Sequence, residues 1–183
     1  MQCGQSGVGR PHEHAETSRY FVHHPAETVP EFDLGGAHAR VLAGTAFGHT
    51  APVSFPWGIW YVAADTDAPA RFTIGGEEAE ERALYLAKGE AKLAGETIVA
   101  GQMAVLSKGE DVAVSVQAGA RFMLVGGQKM DGRRLIDWNF VASDKERLMK
   151  ARADWRASEL GGWRDTPFTL PDGEDEYIPL PDE

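Results

Sequence analysis

The stretch Leu84–Leu106, LYLAKGEAKLAGETIVAGQMAVL, is cut by glycine at Gly89, Gly95 and Gly101, with a polar turn at each cut. Between the cuts, apolar and polar residues alternate in runs too short for stable helices, which is how a chain folds back and forth as antiparallel strands. The same spacing recurs on either side. ARVL (39–42), GIWYVAA (58–64), RFTI (71–74), ALYLAK (83–88), EAKL (90–93), TIV (97–99), QMAVLS (102–107), DVAVSV (111–116), ARFMLVGG (120–127) and LIDW (135–138) all read as strands. Many short strands joined by Gly-bearing turns predict an all-β sandwich or barrel. Val112, Val114 and Val116 alternate with Ala113 and Ser115, and Phe122 and Leu124 do the same on the next strand, so each should give one apolar inward face.

Around this core the order signals change. Residues 1–35 carry four of the six histidines and three prolines, and are expected to form an extended arm. The barrel is expected over 36–141, a helix over 142–162 and an acidic extended tail over 163–183. In the helical segment Ser143 and Glu146 have capping-box spacing, which predicts a start at Asp144. Leu148, Met149, Ala151, Arg152 and Trp155 place apolar atoms at helical spacing as a packing face. Gly161-Gly162 should end the helix, and prolines at 167, 171, 179 and 181 keep the tail extended over the body.

Charge and cysteine content narrow the function classes. The formal net charge is −10, of which Pro171–Glu183 supplies six acids and no base, leaving −4 for the rest. The densest basic run, Lys145, Arg147, Lys150, Arg152 and Arg156, is interleaved with Asp144, Glu146 and Asp154 and reads as a solvated helix face. Direct nucleic-acid binding is therefore not expected. No run is long enough for a membrane span and the start lacks an apolar leader, so a cytoplasmic location is expected. The single cysteine, Cys3, fits a reducing compartment and reads as an exposed thiol.

Small barrels of the cupin class hold a metal through two motifs, G-x5-H-x-H-x3–4-E-x6-G and G-x5-P-x-G-x2-H, because imidazoles and a carboxylate must converge on one ion. Overlaid on Gly101 and Gly109, the second motif puts Val112 at its histidine position. Counted back from Gly89, the first puts Arg82 at its glutamate position and its paired histidines within Gly75–Glu78 (GGEE). All six histidines, at 12, 14, 23, 24, 38 and 49, precede these hairpins. The barrel centre is expected to be filled by side chains and to hold no metal.

ARVLAGTAFGHTAPV (39–53), LYLAKGEAKLAGETIVAGQMAVL (84–106), WNFVASDKERLMKARADWRA (138–157) and EDEYIPLP (174–181) resemble the C-terminal half of the pirin family, whose members carry two cupins. HEHAETSRYFVHHPAETVPEF (12–32) is similar to that family's linker between the cupins. The resemblance implies a single cupin (RmlC-like) jelly-roll β-barrel with one C-terminal α-helix and extended arms. It also implies a family whose iron sits only in the N-terminal barrel, and whose members act as quercetin dioxygenases or as transcriptional co-regulators working through protein partners. The family's ligand stretches, H-P-H-x-G-F-E and H-S-E, do not occur in this sequence, so no iron ligand carries over.

The expectation is thus a non-catalytic binding or protein-interaction module without cofactor. The C-terminal barrel of a two-cupin protein packs on its partner barrel, so the exposed counterpart here predicts a homodimer or a complex with another cupin chain. The alternative is an iron-dependent quercetin-type dioxygenase whose metal is supplied by N-terminal histidines or by a partner chain. His12 and His14, with Glu13 or Glu16, would then be the ligands. Trp57, Trp60 and Tyr61 are candidates for the floor of a small-molecule pocket, against a role as core or interface aromatics. Gly75-Gly76 and Gly126-Gly127 read as turn glycines.

Overall fold

The computed structural model of the chain describes residues 7–17, 21–53, 55 and 57–181. Cys3 lies outside the described residues. The chain forms two compact units, Arg19–Lys129 and a second made of Met1–Ser18 with Met130–Glu183. In chain order the strands are β1 (Glu31–Leu34), β2 (Ala37–Ala43), β3 (Thr45–Ala46), β4 (His49–Thr50), β5 (Ile59–Asp65), β6 (Ala70–Ile74) and β7 (Glu81–Lys88). They continue as β8 (Glu90–Leu93), β9 (Glu96–Val99), β10 (Met103–Leu106), β11 (Val112–Val116), β12 (Arg121–Gly127), β13 (Leu135–Asp137) and β14 (Phe140–Ala142). The helix α1 (Lys145–Leu160) follows. Among the described residues no helix is long and apolar enough to cross a membrane.

The unit Arg19–Lys129 is the jelly-roll barrel. One sheet has the order β1-β2-β5-β12-β7-β10 and the other β6-β11-β8-β9; the pairings are antiparallel throughout. Strand register across β5, β12 and β7 sorts the interior into layers. Ala64, Phe122 and Leu86 are Cα partners in one layer, Val62, Leu124 and Leu84 in the next, and Trp60, Gly126 and Arg82 in the third. Successive side chains alternate faces, so all these positions point inward, and every side chain among them is buried. Ile74, Val112, Val114, Val116 and Leu93 close the core from the smaller sheet. Phe72 and Phe122 stack across the gap with centroids 5.4 Å apart. Each such apolar side chain contributes about 1.5–3 kcal/mol by leaving water. The alternation in 111–116 and 120–127 thus marks the inward face as expected.

Some strands are absent from the periodicity. Glu31–Leu34, within the stretch expected as an arm, pairs with β2 as the sheet's edge strand. The two-residue strands β3 and β4 pair only with each other. Gly126 and Gly127, read both as the end of the 120–127 strand and as turn glycines, lie inside β12 and pair with β5 and β7.

In the second unit the β13–β14 hairpin packs beside α1. The N-cap is Asp144 rather than Ser143: its backbone is extended and its carboxylate accepts the Arg147 N–H at 2.8 Å. A charged acceptor at the positive end of the helix satisfies an orphan donor, so the helix begins at Lys145. At the other end Trp163 N–H donates to Ser158 O and Gly162 N–H to Glu159 O. Gly162, at φ 64, is the left-handed residue such a cap requires.

Leu148 and Ser158 are buried, whereas Met149 is 61% exposed and is not part of the packing face. Trp155 meets Trp138, Trp163 and Phe168 edge-on at 4.8–5.2 Å. The tail runs along the helix. Ser158 Oγ accepts from Phe168 N–H, Arg152 donates to Asp137 and to Pro181 O, and Tyr177 O–H donates to Glu159 at 2.9 Å. That carboxylate holds the Tyr177 phenol above its ordinary range.

Candidate functional site at one end of the barrel

The third interior layer is where the two metal-motif overlays meet. Arg82 shares inward parity with Leu84 and Leu86 and is 2% exposed. Its Nη1 donates to Ile74 O at 3.2 Å and Gly75 O at 2.5 Å. Its Nη2 donates to Ser107 O at 2.5 Å and Glu110 O at 2.9 Å. The Nε has no hydrogen-bond partner among the described residues. Val112, the other overlay position, is the Cα partner of Ile74. Both substituted ligand positions therefore adjoin the same residue.

This arrangement does not fit iron. A guanidinium is permanently charged and offers donors only. A metal cation beside it would meet like charge in a medium of low dielectric. Val112 has no ligand atom to give. Among the described residues, no three His, Cys, Asp or Glu side chains group as they would around a metal.

What the guanidinium does instead is tie two turns together. The carbonyls it binds belong to the end of β6 with its following turn, and to the 107–110 turn after β10. Asp111 adds a parallel link by accepting Gly76 N–H at 2.7 Å. A charge this deeply buried survives because each Nη group is matched by two carbonyl acceptors.

Beside this layer a cleft of about 550 Å³ opens at the ends of β2, β5, β7 and β12, lined in part by Thr45, Trp57, Trp60, Glu78, Glu80 and Gln128. Its size lies in the range of small-molecule sites, and mouths of β-barrels are a common place for them. Trp60 is 5% exposed and its Nε1–H donates to the main-chain oxygen of Glu78 at 3.0 Å. The Glu78 carboxylate accepts the Phe47 N–H at 3.3 Å. Glu80 accepts Lys108 Nζ at 2.8 Å and Lys129 N–H at 3.1 Å. The hydrogen bond to Lys108 and then the Lys129 N–H hold the Glu80 carboxyl below its usual range, and Lys108 is raised in turn.

Of the three aromatics weighed between a pocket floor and a core or interface role, Trp57 and Trp60 line the cleft, and Trp60 is also part of the core. Tyr61 does not: it follows Trp60 on β5 and takes the opposite face. Glu78 belongs to the GGEE stretch where histidine ligands were sought, and its side chain serves the cleft wall instead. Gln128 and Thr45 carried no signal in the sequence. Arg82 did carry one, as the only charged residue at an inward position of ERALYLAK between Glu81 and Lys88.

His12 and His14 lie in the other unit, on a single 3₁₀ turn, His12–His14. Three residues per turn set positions two apart on different sides, so the two rings diverge from a common ion. His12 uses its main-chain N–H on Asp131 at 2.7 Å. That bond, with Arg134, keeps the Asp131 carboxyl below its usual range. His14 Nε2 lies 3.4 Å from Glu13, and Glu16 is held by Arg147 through two bonds of 2.9 and 2.7 Å.

The geometry has counterparts in known proteins. Residues 61–161 match the model of the pirin C-terminal cupin domain. A pirin-like protein of Caulobacter vibrioides is 37% identical over 185 residues, covering 100% of this chain and 60% of its own length. The crystal structure of quercetin 2,3-dioxygenase from Acinetobacter baumannii superposes with a TM-score of 0.76 at 27% identity, over 94% of this chain and 57% of that one. A protein of Geobacillus kaustophilus, at 20% identity and a TM-score of 0.55 over 67% of this chain and 52% of its own, shares the fold. The chain spans between half and three-fifths of the length of the curated relatives it matches.

Proposed function

Because the chain belongs to the pirin C-terminal cupin family, we propose that it is a non-catalytic binding module whose ligand site is the cleft at the barrel end. The observation that carries this reading is Arg82: a buried guanidinium bonded to four carbonyls stands where a cupin's metal-binding carboxylate would be. A barrel end closed in this way leaves recognition to its rim and offers a metal no ligand atom at Arg82 or Val112. The quercetin dioxygenase name belongs to a longer protein, of which this chain spans 57%. Elemental analysis of untagged protein, expressed with added iron and purified without chelator, tests the reading. Metal far below one equivalent is expected. Near-stoichiometric iron overturns it and brings forward oxygen consumption with quercetin, measured on the H12A/H14A double variant.

The reading extends to self-association. β10 is the outer strand of the six-stranded sheet, and its outward residues Met103 and Val105 are 56% and 80% exposed. An open apolar strand edge pairs readily with another strand. Antiparallel pairing about Ala104 would set each Met103 opposite the partner's Val105, so the edge is complementary to itself and a second copy is the occupant we propose. Sedimentation at micromolar concentration should give a dimer that V105K converts to monomer. A clean monomer of the unaltered chain overturns the pairing.

A further inference from the structure

We propose that the barrel-end cleft selects an organic cation, a protonated amine on an apolar or aromatic body. The proposal rests on reading the cleft as the ligand site. Among the described residues its lining contains two carboxylates, Glu78 and Glu80, and no Lys, Arg or His. Glu80 is already matched by Lys108 and the Lys129 N–H. Glu78 is not: it is half-buried and its carboxylate receives only the long Phe47 N–H bond among the described hydrogen bonds. An unneutralised carboxylate in a partly dry cleft has capacity left for a charged donor.

The surroundings of Glu78 narrow the choice further. Trp60, itself buried, is anchored to the same residue through its indole N–H, and the half-buried Trp57 lines the same cleft. An aromatic ring such as Trp57 in the same cleft as a carboxylate attracts a cation by its quadrupole and covers its apolar body. An anion would face the unmatched Glu78 carboxylate, while the Lys108 ammonium is already engaged by Glu80. A neutral alcohol could use the Gln128 amide and the Thr45 hydroxyl, yet would leave the Glu78 charge unmatched.

The experiment follows the indole N–H signals of the full chain by NMR, near neutral pH, with benzylamine as probe and benzyl alcohol and benzoate as its neutral and anionic counterparts. Benzylamine should move the Trp57 and Trp60 signals saturably, with benzyl alcohol at least tenfold weaker and benzoate without effect. E78Q should cost benzylamine about tenfold, equivalent to about 1.4 kcal/mol. The Trp60 bond goes to the main-chain oxygen of Glu78, so E78Q leaves that anchor in place and its unchanged indole signal checks the fold. Equal binding of benzyl alcohol, or an E78Q variant that binds benzylamine as before, overturns the cation while the cleft remains a ligand site. If none of the three probes moves either indole at tens of millimolar, the cation and the cleft both fall.

Discussion

Gly126 lies directly beneath the indole of Trp60: a Cβ added there would stand 2.4 Å from the ring carbons. The two are Cα partners on β12 and β5. The ring therefore occupies the volume that any other residue at 126 would need. Changing Gly126 to Ala should destabilise the barrel by about 1–3 kcal/mol, the usual cost of overfilling a packed interior. Urea unfolding reads this directly, and the double change with Trp60 to Phe should recover part of the loss.

Arg82 gives the largest expected effect. Replacing it with Met keeps the length of the side chain and removes the guanidinium donors from four main-chain carbonyls, that of Ile74 buried and the other three part-buried. Leaving such groups unmatched should cost about 3 kcal/mol or more. Lys in the same place keeps the charge and loses the fork, so R82K should fall between the two. Equal stability of R82M and the unaltered chain, by thermal and urea unfolding, would deny the guanidinium its role as a tie.

The pair at the cleft rim makes a statement about pH. Glu80 is lowered from its ordinary 4.5 chiefly by the Lys108 hydrogen bond. A depressed carboxyl contributes stability above its unfolded value and loses it as pH falls through the lower folded one. Lys108, raised from 10.5, contributes below that value and loses its part as pH rises through the higher folded one. Carbon-detected titration of Glu80 should show the midpoint move up toward 4.5 in K108M, and an unmoved midpoint would assign the shift to other groups. The pair is exposed, so salt should reduce the shift.

At the helix, D144A should cost about 1 kcal/mol by removing the cap on Arg147 N–H, while S143A should be close to neutral. Reversed magnitudes in thermal unfolding would return the cap to Ser143.

What the sequence disclosed is tied to strict alternation. Val112, Val114 and Val116, and Phe122 with Leu124, announce their faces because period two is visible in hydrophobicity. β3 and β4 escape notice because two residues have no period to display. Glu31–Leu34 has only Phe32 and Leu34 to suggest a strand, and its pairing comes from the turn at Gly35-Gly36 that hands it to β2. Asp144 outcompeted Ser143 as cap, a contest between adjacent acceptors that spacing alone does not decide. At the barrel end, the sequence places Arg82 and Val112 at ligand positions but does not give the four carbonyls that turn an apparent loss into a bond network. Those acceptors are main-chain oxygens, and main-chain oxygens have no letter in a sequence.

A closure made of guanidinium and carbonyl has one further consequence. In a metal-bearing barrel the central tie is a separate molecule, acquired after synthesis and open to competition from any chelator or foreign ion. Here it is attached to the chain by its own side chain, so it is delivered in fixed ratio with every copy translated. The tie at the barrel end is in place once the chain has folded.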